Sequence, residues 1–144
     1  HIQMFLDAAD DVVVVTVPDP AAITDAYATI KTIAALRDDV SMIMNQVKNA
    51  KEAEGIFGKI KKVALANIGS NLKLDLIGKV NVDMKVSTSV KRRLLFCAEY
   101  ESSQPYKDVE AIANKIHAKL ERDVLVKANE SGLSGLFRRL IEHF

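Results

Sequence analysis

Asn45, Asn81 and Asp83 are the residues of this sequence whose types and places could do chemistry. Asn45 lies in the apolar stretch "VSMIMNQV" (40–47), and the other two follow in "LIGKVNVDM" (76–84). If both stretches are strands of one parallel sheet, the three residues gather at one rim. Ligands of open α/β sheets bind outside the carboxyl ends of the strands. An Asn amide presents a donor and an acceptor side by side, the pair that matches the edge of adenine. A second reading needs no ligand: Asn45 shapes the strand-to-helix turn and Asp83 caps the helix that follows.

Other chemistries fail on spacing. A phosphate-binding loop needs G-x-x-x-x-G-K-[ST]. Gly58-Lys59 is followed by Ile60, with Ala53 at the first glycine position, and Gly78-Lys79 is followed by Val80, with Lys73 there. His1, His117, His143 and Cys97 have no metal-ligand spacing. Cys97 falls on a helical stripe and reads as core. His117, beside Ile116, reads as a partly solvated helix residue.

The elements that must position the strand-end residues are legible in the hydrophobic pattern. Val12–Val17 is nearly all apolar and β-branched, as a strand buried on both faces would be. Pro18 cannot continue it. Asp19 offers a helix N-cap, with Pro20 at the first helical position. Ile23, Tyr27, Ile30 and Ala34 then predict a helix that ends near Arg37 and Asp38. Val40–Val47 is the second strand, ended by Asn45. Lys51–Ile68 is a helix with Ala53, Ile56, Phe57, Ile60, Val63, Ala64 and Ile68 on one stripe and Gly69 beyond its end. Leu72–Val80 is the third strand. Val86, Val90, Leu94 and Cys97 mark a third helix, residues 101–105 a loop, and Val109, Ile112, Ala113, Ile116 and Leu120 a fourth helix.

This alternation predicts an α/β fold with about three parallel strands flanked by helices. The chain has 144 residues, 49% hydrophobic and 27% charged, with a net charge of +1. It can bury a core, and its charge argues neither for nor against a nucleic-acid partner. The single cysteine rules out a disulfide framework and fits a reducing compartment. No apolar run approaches the ~20 residues that span a bilayer. Residues 2–9 already carry helical spacing at the first positions, and three strands make a narrow sheet, so a longer protein is expected.

"FLDAADDVVVVTVPDPAAITDAYATIK" (5–31) resembles the flagellar-number regulators FlhG/FleN, ATPases of the MinD/ParA group with a deviant Walker A motif. The most specific part is Pro18–Lys31, and the similarity extends through "IMNQV", "LIGKVNVD" and the end of the chain. The resemblance implies a three-layer, P-loop-NTPase-like fold, of which 1–126 is the C-terminal part, with 127–144 a linker plus an amphipathic helix. It implies that ATP or ADP with Mg²⁺ binds the full-length protein, the phosphate and Mg²⁺ contacts lying in a missing N-terminal half. No tight binding to this part alone and no catalytic residue within it are expected. Asn45 matches the family's base-contacting asparagine. Gly78, Val80 and Asp83 match its G-x-I-P-x-D segment, with Asn81 where proline is usual. The implied partners are that N-terminal half, a second copy in the ATP state, the inner-membrane surface and flagellar assembly proteins, with no specific nucleic acid. The implied place is the bacterial cytoplasm, peripheral at the inner membrane.

The last twelve residues carry a pattern of their own. Leu133, Leu136, Phe137, Leu140, Ile141 and Phe144 form one apolar helical face, with Arg138 and Arg139 on the other. A basic amphipathic helix of this type can lie in a membrane interface, and "GLFRRLIEHF" resembles the membrane-targeting helix of the MinD group. Packing into a groove of its own domain or of a partner is the other reading. A ParA-type DNA-partitioning protein is the rival class, with Lys48, Lys51, Lys59, Lys61 and Lys62, or Lys91–Arg93, as its DNA surface. A module that binds no nucleotide is the third.

Overall fold

The structure is a computed structural model that describes residue 6 and residues 9–131, with side chains as far as Asp123. Along the chain run β1 (Val13–Thr16), α1 (Pro20–Ala34), β2 (Asp39–Val47), α2 (Ala50–Asn67), β3 (Lys73–Asn81), α3 (Met84–Lys91), α4 (Phe96–Glu99) and α5 (Gln104–Ser131). The three strands form one parallel sheet in the order β1-β2-β3. Val13 pairs with Ser41, and Val40 with Leu74. The α/β reading therefore holds. Two compact units divide the chain, His1–Ile112 and Ala113–Phe144, and the sheet belongs to the first.

Local chemistry sets the element boundaries. Asp19 Oδ1 accepts from the N–H groups of Ala21 (2.9 Å) and Ala22 (3.2 Å), so α1 starts at Pro20. Asn49 caps α2 by accepting from Glu52 N at 2.9 Å, while Glu52 Oε2 accepts from Lys48 N at 2.7 Å. This is a reciprocal capping arrangement at one helix start. One face of the sheet carries the main core: Val14, Val40, Met42 and Leu74 pack against Ile30 and Ile33 of α1 and Ile60 and Ala64 of α2. A second, smaller cluster joins Met44, Val47 and Ala53.

Five expectations are corrected. The first strand is not buried on both faces: Val14 and Thr16 are buried, whereas Val15 is 59% exposed. The helix read from Val86 to Cys97 is two helices. Arg93 takes a left-handed φ of 55°, Arg93 N donates to Val90 O, and Leu94 N donates to Ser89 O. That is a Schellman closure, and it uses arginine where glycine would signal it in sequence. Val90 is consequently 69% exposed and Cys97 only half-buried, so this stripe is not a core face. The second strand does not end at Asn45 but continues to Val47, across a pairing irregularity at Asn45–Gln46. The loop at 101–105 is shorter than read: Gln104 and Pro105 already open α5, with Pro105 fully buried. The linker stretch 126–132 is helical as far as Ser131. Leu133–Phe144 lies outside the described residues.

Candidate functional site

Asn45 sits just before the end of β2, where the chain departs from regular strand geometry. Gln46 adopts a left-handed φ of 56°, a conformation that costs a non-glycine residue about 1–2 kcal/mol. Asn45 Oδ1 supports it by accepting from Gln46 N at 2.8 Å. This is the turn-shaping role, and it leaves the Asn45 amide hydrogens for a further acceptor.

The end of β3 lies alongside. Val82 N donates to Val47 O at 2.9 Å, which extends the parallel pairing past the last strand residue. Asp83 Oδ1 accepts from Lys85 N at 2.8 Å and caps α3. Of the expected residues, Asn45, Val80, Asn81 and Asp83 all line one groove of about 750 Å³ at the carboxyl ends of β2 and β3. Most of its remaining walls are apolar, among them Val86, Phe96, Val109 and Ile112, with Gln46, Ser87 and Lys91 adding polar groups. A flat apolar ring with a polar edge suits such walls: the aliphatic side chains cover the ring faces, and the asparagine amide meets the edge.

Gly78 lets α5 approach the sheet. A Cβ placed there would meet Cγ1 and Cδ1 of Ile112. The glycine also sits where the β2–β3 register shifts, with Ile43 opposite Gly78 after Met42 opposite Leu76. Gly78 thus brings Ile112 onto the sheet as the floor of the groove.

Sequence reasoning missed the polar cluster beside the groove. Asp108, on the second turn of α5, has only 6% of its side chain exposed and pairs with Lys79 at 2.7 Å. Gln104 Nε2 and Asn81 N donate to the same carboxylate at 2.9 and 2.8 Å. Burial alone pushes the Asp108 carboxyl up. The hydrogen bonds from Lys79, Gln104 and Asn81, together with the lysine charge, outweigh it and hold the carboxyl below its ordinary value. The one local signal, Gln104 four residues before Asp108 on a helix, is too common to single out.

Elsewhere, His117 stands on the exposed face of α5, 3.8 Å from Glu121. Lys61, one of the lysines of the DNA-surface reading, lies 3.8 Å from Asp75 and over the ring of Phe57. Among the described residues, no cluster of three or more His, Cys, Asp or Glu side chains could hold a metal ion. None of the described helices is long and apolar enough to cross a membrane.

No family model matches the sequence. Over 141 residues it is 36% identical to the flagellum site-determining protein YlxH of Helicobacter pylori, across 98% of this chain and 47% of that protein. Over 147 residues it is 26% identical to the antiactivator FleN of Pseudomonas aeruginosa, across 99% of this chain and 49% of that protein. The chain is a relative of the FlhG/FleN regulators. It spans about half the length of each of these two proteins. The FlhG/FleN similarity thus runs through the groove as well as the "PDPAAITDAYATIK" stretch. Asn81, where the resemblance leads one to expect proline, uses its N–H and its side-chain amide, neither of which proline has.

Proposed function

We propose that this chain is the base-binding part of an FlhG/FleN-like ATPase that controls the number or placement of flagella. One observation carries the reading: the Asn45 amide opens on an apolar groove at the carboxyl ends of parallel strands, in a relative of the site-determining protein YlxH. Asn45 Nδ2 donates to a ring nitrogen of adenine, and Oδ1, which also accepts from Gln46 N, accepts from the exocyclic amine, so the pair discriminates between bases. Val80, Val82 and Ile112 exclude water from the ring, and Asp83 fixes the start of α3 against it. Bound ATP supplies the phosphoryl group whose transfer the full-length protein catalyses. Its phosphates and Mg²⁺ would be held by residues outside this chain, which spans about half the length of YlxH and FleN. A second copy joins in the ATP state, and Leu133–Phe144 carries the dimer to the inner membrane from the cytoplasm, where flagellar assembly proteins are met.

Titration of the full-length protein with a ribose-labelled fluorescent ADP tests the base site. Asn45→Ala removes a donor to the base and weakens binding about tenfold; affinity equal to the parent's overturns the reading. The 144-residue chain alone releases no phosphate from ATP. Turnover by that chain, abolished by Asn45→Ala, would show that the phosphate contacts have been misassigned.

A further inference from the structure

The cluster around Asp108 connects the two walls of the groove. Asp108 Oδ1 accepts from Lys79 Nζ at 2.7 Å and Gln104 Nε2 at 2.9 Å, and Oδ2 accepts from Asn81 N at 2.8 Å. Asn81 Oδ1 accepts from the same Lys79 ammonium at 2.5 Å. Asn81 Nδ2 donates across to the Lys48 carbonyl, at 3.2 Å. Lys48 follows the Asn45–Gln46 irregularity, and Asn81 precedes the Val82–Asp83 segment. One carboxylate on α5 therefore holds the end of β3, and that strand end holds the turn after β2.

We propose that Asp108 is a positioning residue for the base site: acting through Asn81, it fixes the spacing between the Asn45–Gln46 wall and the Val80–Asp83 wall, and ties both to the first turns of α5. The inference rests on the base-binding reading above. Asp108 itself does not line the groove, whereas Asn81 does, as do Val109 and Ile112 of the same helix. Asp108 thus acts on the site only through its partners. Three of the links run through the N–H, Oδ1 and Nδ2 of Asn81, so a base pressed between the walls and the α5 anchor draw on one set of hydrogen bonds. Groups that share a network couple energetically. Filling the groove therefore steadies residues 104–112, and loosening Asp108 blunts the recognition of the base.

The test uses the full-length protein, with ADP competed against inosine diphosphate, which lacks the exocyclic amine. Asp108→Asn is expected to weaken ADP about tenfold and the inosine nucleotide less, so that the selectivity ratio falls. In the parent, ADP slows amide hydrogen exchange across 104–112; in Asp108→Asn this protection is lost. Gln104→Ala removes a single neutral donor and lowers the ratio in the same direction by a smaller factor. If Asp108→Asn fails to fold, Gln104→Ala decides. A purely structural role would lower the melting temperature and leave the selectivity of the folded fraction at the parent's value, which overturns the proposal. Asn45→Ala separates the two levels. If it leaves ADP binding intact, the base site falls and the proposal with it. If it weakens ADP while Gln104→Ala and Asp108→Asn keep the parent's selectivity, only the positioning role falls.

Discussion

Asp108 is held by Lys79, Gln104 and the N–H of Asn81, with its carboxyl below the ordinary range. A carboxyl with a depressed folded pKa stabilises the fold above its unfolded value, and that contribution is lost as the pH falls through the folded value. Chemical denaturation should therefore show the parent losing stability below about pH 4, with Asp108→Asn losing less over the same interval. At neutral pH Asp108→Ala should cost about 2–3 kcal/mol, because it leaves the largely buried Lys79 ammonium with Asn81 Oδ1 but without its charge partner. Arg93 is the opposite case. Its left-handed φ of 55° closes α3, so Arg93→Gly should raise stability by about 1 kcal/mol, read as a higher denaturation midpoint at unchanged slope.

Glycine positions separate two kinds of element surface. A Cβ at Gly55 or Gly58 of α2 meets nothing within 4 Å, so alanine at either should stabilise the helix by roughly 0.5–1 kcal/mol. Gly78→Ala should instead destabilise by about 1–3 kcal/mol, because Ile112 must move off the sheet. Thermal melts of the three variants give opposite signs if α5 packs on β3 as described. The same elements explain what could be read in advance. The strand β1 and helix α1 were legible because valine runs, Asp19 and Pro20 act within a few residues of one another. The break after α3 was not, because an arginine stands where glycine usually marks a left-handed closure. At the site, Asn45, Val80, Asn81 and Asp83 were found from their place at strand ends. Lys79 and Asp108 were missed because they are 29 residues apart, and only the approach of α5 at Gly78 brings them together.

For the protein as a whole, the proposed membrane attachment rests on the apolar face of Leu133, Leu136, Phe137, Leu140, Ile141 and Phe144. Each apolar Å² it inserts contributes roughly 25 cal/mol, and Arg138 and Arg139 add about 1 kcal/mol each on anionic lipid. One such helix binds weakly, and two on a dimer bind firmly through effective concentration. Phe137→Glu in the full-length, ATP-bound protein should abolish co-sedimentation with anionic liposomes at an unchanged melting temperature. Sedimentation equal to the parent's would exclude the tail as anchor, and a melting temperature lower by many degrees would make it a packed element instead. The sheet order has a consequence for how the chain folds. Because β1, β2 and β3 lie side by side in the order in which they are made, none of these three has to be inserted between two that have already paired. Each pairing closes over a single helix, as Val13 with Ser41 over α1 and Val40 with Leu74 over α2, so a nascent chain can add one strand at a time to the open edge as it leaves the ribosome.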